Sequence, residues 1–311
     1  MPGFEPAYIQ AHQSGLLRRN LAEANARMSS CTLCPRMCRV DRLSGATGVC
    51  RTGRRALVSS FNAHFGEEAP LVGTNGSGTV FFTHCNLLCL FCQNFEISHE
   101  GIGEEVSDEQ IAGIMVALQR QGCHNINFVT PSHVVPQILA ALELAVPAGL
   151  NVPLVFNSGG YDRIETLRLL DGVIDIYMPD FKFWDPEVAR NACNAADYPE
   201  AARQALLEMH RQVGDLELDD RGIARRGLLV RHLVMPGGLA GTREVMRFIA
   251  REVSPRTYVN VMSQYRPCGR ADEVLGMAAA LSADEYRRAV HEAIAEGITR
   301  LDQRQPPFRR W

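Results

Sequence analysis

From residue 78 the sequence repeats one unit: a short β-branched or aromatic run, a polar or Gly/Pro-rich loop, then a helical pattern. The runs are 79–82, 126–129, 154–156, 173–177, 228–234 and 258–262. Helical patterns lie near 107–121, 133–146, 163–170, 199–213, 240–252 and 283–296. Ser107 with Gln110 makes a capping-box signature, and Ser282 precedes Ala283-Asp284-Glu285. Strands and helices alternating at this spacing require parallel pairing through right-handed crossovers. Six units predict an α/β fold, an open partial (β/α)6 barrel over residues 78–300. A doubly wound sheet is the alternative. Either way, functional groups gather where the strands end and the βα loops begin.

With 32 basic and 35 acidic residues the net charge is −3, which gives no general attraction to nucleic acid or an anionic membrane. The N-terminus, MPGFEPAYIQAHQSG, has no basic stretch leading into an apolar one. The most apolar window, 138–156, is broken by Glu143, Pro147, Asn151 and Pro153. These features predict a cytoplasmic protein with no membrane partner. Clustered thiols in that compartment read as metal or redox ligands rather than disulfides. The ten cysteines divide into 31, 34, 38 and 50; 85, 89 and 92; and 123, 193 and 268. The last three have no spaced partners and are expected to be buried structural thiols. Of these, Cys268 stands nearest the predicted rim, beside Tyr265 and Arg266.

Each predicted strand ends in chemistry-bearing residues. They are His84-Cys85, Thr130-Pro131-Ser132-His133, Asn157-Ser158-Gly159-Gly160, Asp180-Phe181-Lys182, Met235-Pro236-Gly237-Gly238 and Ser263-Gln264-Tyr265-Arg266. The decisive motif is Cys85-Asn86-Leu87-Leu88-Cys89-Leu90-Phe91-Cys92. Three close thiolates suit a [4Fe–4S] cluster and leave one iron open to an external molecule, as in catalytic rather than structural centres. Zinc is the competitor, with His84 or His99 as fourth ligand. The apolar residues of the loop suit a redox centre shielded from water. Arg231 and His232 alternate inside an apolar run, so one faces inward. An inward Arg231 would hold a carboxylate or phosphate, and an outward one would pair with helix acids. For His84, His133 and His232 an ordinary hydrogen-bonded histidine is the expectation.

C-x3-C-x-aromatic-C after the first strand of a βα series resembles the radical S-adenosylmethionine superfamily. The resemblance implies that Cys85, Cys89 and Cys92 ligate the cluster and that Phe91 packs near the adenine of S-adenosylmethionine. It further implies reductive cleavage to a 5′-deoxyadenosyl radical that abstracts hydrogen from a substrate. Asp180-Phe181-Lys182 is similar to the D-x-K of pyruvate formate-lyase activating enzymes, whose side chains contact S-adenosylmethionine. Asn157-Ser158-Gly159-Gly160 resembles their T-N-G, and Val234-Met235-Pro236-Gly237 their V-x-P-G. Cofactor contacts are therefore implied for Asn157, Ser158, Gly159, Asp180, Lys182 and Met235. The overall likeness is to the PflX-type branch, with C-P-R-x-C, T-P-S-H and Q-Y-R-P. Thr130-Pro131-Ser132-His133 stands where the superfamily often has Gly-Gly-Glu-Pro, and the W-x-S of the activases has no counterpart. The cluster chemistry therefore transfers and the substrate does not: a protein glycine and a small molecule both remain. An electron donor such as flavodoxin or ferredoxin is implied.

Cys31-x2-Cys34-x3-Cys38-x11-Cys50 is a second ligand set. Four thiolates close either a tetrahedral zinc site or an auxiliary iron–sulfur cluster, and the Cys34-Pro35 dipeptide favours the cluster. The chain thus divides into an N-terminal extension with this site (1–77), the barrel (78–300) and a tail (301–311) in which Phe308 and Trp311 look exposed. The competing function is a non-catalytic iron–sulfur or zinc protein serving electron transfer or cluster assembly.

Overall fold

The computed structural model describes residues 4–302; of the expected tail, 303–311 lie outside the described residues. Two helices lead in, α1 (Ala7–Gln13) and α2 (Leu16–Ala26), divided at Gly15, whose φ of 72° is left-handed. They dock through the Ala7 N–H on Asp175 Oδ1 (2.8 Å), the Tyr8 hydroxyl on the Val152 carbonyl (2.9 Å) and Asn20 on the Leu169 carbonyl (2.8 Å). An irregular segment carrying the first four cysteines follows. It leads into β1 (Ala56–His64), the short α3 (Ala69–Val72), β2 (Ser77–Phe82) and β3 (Glu104–Val106).

The alternation then runs α4 (Asp108–Arg120), β4 (Ile126–Val129), α5 (Val135–Ala145), β5 (Leu154–Ser158), α6 (Ile164–Leu167) and β6 (Ile176–Pro179). It continues with α7 (Pro186–Cys193), α8 (Tyr198–Val213), β7 (Glu217–Leu218), β8 (Ala224–Leu233), α9 (Thr242–Phe248), β9 (Tyr258–Met262), α10 (Ala283–Ala295) and β10 (Arg300–Leu301). The anticipated capping box forms at Ser107/Gln110, and the start signal at Ser282 proves to be a second one, with Glu285.

The strand order is β10-β9-β8-β6-β5-β4-β2-β1-β3, with β7 appended to β8. All pairings from β2 to β10 along this path are parallel, while β1 runs antiparallel to both β2 and β3. The sheet does not close, since β10 and β3 are its two edges. This is an α/β fold with a mostly parallel open sheet, consistent with a partial barrel. The expected run at 173–177 becomes β6 two to three residues later, because Val173 and Ile174 are buried in the turn before it. No helix among the described residues is long and apolar enough to cross a membrane.

Period-two alternation divides the strand residues between two faces. Phe82, Phe128, Phe156, Tyr177 and Val230 belong to the large core that includes α4, α5 and α8. Val155, Ile176, Met178 and Leu229 point the other way, into a small separate core sealed by Leu71 of α3 and Leu216. The segment after β1 therefore plugs the concave side near the strand starts. Beyond that apolar layer, toward the strand ends, the concave side turns polar.

Candidate active site

β2 ends at Phe82, and the loop leaving it departs at once from extended geometry: His84 has φ 68° and Leu88 φ 56°. Non-glycine residues adopt this left-handed conformation at a steric cost, so neighbouring contacts must enforce it. Those contacts are specific. The His84 N–H donates to the Ile97 carbonyl (3.0 Å), the Asn86 side chain to the Tyr161 carbonyl (2.7 Å) and the Leu90 N–H to the Ala192 carbonyl (2.9 Å). The Leu90 carbonyl accepts from the Arg270 N–H (2.7 Å), joining the loop after β9 to the same place. A side chain at Gly269 would put its Cβ 2.7 Å from that carbonyl, so glycine is required for the approach.

Cys85, Cys89 and Cys92 are free thiols on this loop. Burial pushes the Cys85 thiol up to about 12, with Cys89 adding to the rise. Burial and then the Cys89 sulfur raise Cys92, and Lys182 works in the opposite direction. Cys89 is raised most strongly by its hydrogen bond with the Cys193 thiol, 3.4 Å away, and then by burial. Burial, with the neighbouring sulfurs adding to it, disfavours the thiolate form of these side chains, and a bound metal would reverse that balance. Cys193 is buried as expected, but its place against Cys89, 104 residues away in sequence, is a contact that spacing does not reveal. Phe91 packs edge-to-face on Phe183 (5.7 Å between centroids) and near Tyr265 (6.2 Å).

The strand ends on the concave side bring the other residues together. Asp180 Oδ2 accepts from Lys182 Nζ (2.6 Å) and Oδ1 from Arg231 Nε (2.7 Å). Arg231 Nη2 also reaches Asn157 Oδ1 (2.7 Å), and Nη1 lies 3.8 Å from Glu67. Of its two options Arg231 takes the inward one and holds the protein's own Asp180. Burial opposes ionisation of that carboxyl, but Arg231 and Lys182 outweigh it and hold Asp180 below its usual range. Burial likewise opposes charge on Lys182, and Asp180 followed by the Cys89 sulfur more than restores it. Lys182 is thus a cation that acts on the Cys89 and Cys92 sulfurs.

Three supporting residues escaped the sequence reading. The Tyr198 hydroxyl accepts from the Lys182 N–H (2.8 Å) and donates to the Gly159 carbonyl (3.0 Å), fixing the Asn157–Gly160 turn against the Asp180–Lys182 segment. Gly160 has φ 75°, and a Cβ there would fall 2.1 Å from the Asp180 carbonyl. Glu67 and Glu68 enter from the plug: Glu68 accepts from Asn260 (2.9 Å), and burial raises both carboxyls against the pull of Arg231. Tyr198, the first residue of α8, carries no periodic signal, and the Glu67-Glu68 pair has no distinguishing pattern at all. Behind the segment, His232 Nδ1 donates to the Phe181 carbonyl (2.7 Å) and Nε2 accepts from Thr242 (2.9 Å), the tautomer these partners assign. Ser158 donates to Asp162 (2.5 Å). Met235 is buried beyond β8 and lines the cleft between α9 and α10 with Thr242, Arg243 and Ala289.

The four N-terminal cysteines line one pocket together with Leu33, Arg36, Met37, Val40, Arg42, Gly48 and His133. Backbone bonds knit this segment: Cys31 N–H to the Val40 carbonyl (2.9 Å), Arg39 N–H to Cys31 (2.9 Å) and Met37 N–H to Cys34 (3.0 Å). The Val49 N–H points at Cys38 Sγ (3.4 Å), and a Cβ on Gly48 would stand 2.6 Å from that sulfur. Met37, Arg39 and Arg51 are left-handed here. Burial and then Cys50 push Cys34 up to about 12. Burial also raises Cys50, opposed first by the fully buried Arg42. Among the described residues no three His, Cys, Asp or Glu side chains converge as a single-ion site. The cysteines share a pocket without meeting at one point.

The family model of the radical SAM superfamily matches residues 79–216, from β2 to just before β7. The Uncharacterized protein MJ0674 of Methanocaldococcus jannaschii is similar to this chain, with 30% identity over 271 residues, spanning 85% of this chain and 74% of that protein. The matched residues contain the three-cysteine loop, the Asn157–Gly160 turn and the Asp180–Lys182 pair whose geometry is given above. On that sequence similarity, the chain belongs to the radical SAM superfamily.

Proposed function

We propose that Cys85, Cys89 and Cys92 hold a [4Fe–4S] cluster and that the polar strand ends bind S-adenosylmethionine against it, making the protein an oxidoreductase that starts hydrogen abstraction. The observation that carries this reading is Lys182: one ammonium is paired with Asp180 and also lies within electrostatic reach of Cys89 and Cys92. The donor set fits, because three thiols on one loop leave a cluster an open position, and the buried cation offsets their negative charge. Held there and reduced by an external donor, such a cluster would supply the one electron that breaks the S–C5′ bond of S-adenosylmethionine, giving methionine and a 5′-deoxyadenosyl radical.

The chain's own residues bind and orient. Lys182 turns toward the ligand carboxylate, while Arg231 keeps Asp180 ionised and in place for the ligand amino group. Asn157, Ser158 and Gly159 offer polar groups along the turn that Tyr198 fixes, Phe91 supplies an apolar wall for the adenine, and Met235 an outer contact. Cys31, Cys34, Cys38 and Cys50 hold an auxiliary iron–sulfur cluster, and a donor of the flavodoxin or ferredoxin type supplies electrons. In this division residues 1–77 carry the auxiliary site and 78–300 the radical chemistry, with β1 joined to the barrel by its pairing to β2. A protein glycine, as in the activating enzymes, and a small molecule are the two substrate classes.

The test is anaerobic reconstitution, iron and zinc quantification, and measurement of 5′-deoxyadenosine after dithionite reduction. Iron-dependent 5′-deoxyadenosine that falls to background in Cys89→Ala is the expected result. A reconstituted cluster that leaves S-adenosylmethionine intact overturns the reading in favour of a non-catalytic iron–sulfur protein. Zinc in place of iron, lost in Cys34→Ala, overturns the auxiliary cluster alone.

A further inference from the structure

Arg36 stands between Cys34 and Cys38, yet its side chain leaves that loop. Its Nε donates to the Asn86 carbonyl (2.9 Å) and Nη2 to the Leu87 carbonyl (3.0 Å), both between Cys85 and Cys89. The same guanidinium donates to the Cys193 carbonyl (2.8 Å) and to the Asn194 carbonyl, and lies over the Tyr161 ring at 5.2 Å. The last carbonyls of a helix have no intrahelical partner, so a cation at the end of α7 satisfies acceptors otherwise left open. Asn194 is itself left-handed (φ 48°), as is Leu88. Ala192 of the same helix end accepts from Leu90, and Cys193 touches Cys89. One side chain thus clamps three segments, 34–38, 85–92 and 192–194, by a rigid fork that lysine does not reproduce.

The backbone that carries Arg36 has little regular structure to hold it. Besides a short 3-10 turn at Arg42–Ser44 and the ties of Arg42 and Arg163 to nearby carbonyls, the segment rests on a small core of Met28, Cys31 and Leu33. Its shape therefore depends on what the four cysteines bind.

We propose that Arg36 is a positioning residue that couples the two cysteine sites: metal held by Cys31, Cys34, Cys38 and Cys50 fixes Arg36, and Arg36 fixes the three-cysteine loop and the end of α7. This rests on the reading that the four cysteines hold a metal. The consequence is an order of assembly, in which the N-terminal site is filled before the three-cysteine loop attains its ligating geometry.

The test uses hydrogen exchange on the full anaerobically prepared protein, with iron and zinc counted in the same samples. Arg36→Ala is expected to keep wild-type metal in the four-cysteine site while amides of 85–92 and 190–195 exchange about tenfold faster, as loss of charge-assisted bonds implies. Cys34→Ser, with Arg36 intact, gives the same acceleration, and the double variant gives no more than either single one. A merely structural arginine produces independent, additive effects instead. Arg36→Lys stays close to Arg36→Ala. Unchanged exchange in Arg36→Ala, continued protection of 85–92 in Cys34→Ser, or additivity overturns the coupling. Where Cys34→Ser does not fold, wild-type protein stripped by a chelator replaces it. A wild-type chain with no metal in the four-cysteine site also overturns the coupling. Failure to cleave S-adenosylmethionine strikes only the functional reading and leaves this measurement standing.

Discussion

The two cysteine segments are built from similar local parts and supported in opposite ways. All seven left-handed non-glycine residues among those described lie in them or in turns beside them: Met37, Arg39 and Arg51; His84 and Leu88; Thr130 and Asn194. Strain is concentrated where ligands must be presented. The 85–92 loop, however, springs from a central strand and is tied to the β9 loop, to Tyr161 and to the end of α7. The 31–55 segment has no strand beneath it, and its charged residues do the tying: buried Arg42 bonds the Gly53 carbonyl (2.8 and 3.0 Å) and the His133 carbonyl (2.9 Å). A loop mounted on a sheet does not need its own metal to hold its backbone once Arg36 is in place. A site made only of loop would, under the proposed function, use its metal as part of its core.

The largest effect that separates them is chelation. If the four cysteines hold the proposed metal, removing it from the full protein is expected to open 31–55 to trypsin at exposed Arg39, Arg51 and Arg54, with the far-ultraviolet dichroism of the barrel retained. Loss of the barrel signal in step with cleavage breaks the comparison.

Next in size is Asp180→Ala. It strands Lys182 and Arg231 on the concave side without their shared carboxylate, and removing one partner of a buried ion pair costs about 3–5 kcal/mol. Urea unfolding measures this, and a cost near zero means that the Asp180 cluster is more hydrated than its burial implies.

A pH effect comes third. His232 is lowered by burial from 6.5 to about 4, the Phe181 carbonyl opposing. Between those values the unfolded chain takes up a proton that the folded one refuses. Stability therefore falls as pH drops from 6.5 toward 4, by about 1.4 kcal/mol per unit for this group. Asp175 works the other way: burial raises it to about 7, so the fold binds its proton first and gains stability as pH drops from about 7 toward the unfolded value. Comparing wild type with His232→Gln isolates the histidine, and equal pH slopes refute its buried neutral state.

The smallest effect belongs to the surface. Arg55 and Glu105 pair at 3.3 Å with both side chains 60% exposed, so Arg55→Ala should change thermal stability by no more than about 0.5 kcal/mol. A larger loss means that β3 helps to hold the four-cysteine segment.

The barrel strands were legible because their hydrophobic runs are bounded by turn residues and separated by helix-length intervals. β1 was not, since its middle, Ser60-Phe61-Asn62, faces solvent and lacks the apolar alternation of a half-buried strand. α7 carries a readable start, Asp185 capping and Pro186 at the first helical position, but at eight residues it falls below the length that periodicity resolves. At the site, Asp180 and Lys182 were visible because two residues of opposite charge follow a strand. Their neighbours Arg231, Glu67 and Tyr198 arrive from distant segments, and only folding brings them together. Cys193 carries no ligand-like spacing for the same reason: its partner Cys89 is across the fold, and single-chain spacing records local ligand sets only.

The plug formed after β1 has a consequence for traffic. Leu71 and Leu216 stop the concave side near the strand starts, and Glu67 and Glu68 are locked to Arg231 and Asn260 just above them. The strand-start side is thus filled by side chains, which leaves the strand-end side, where the three-cysteine loop sits, as the approach to Asp180 and Arg231. In the proposed reaction, substrate and product would share that one approach.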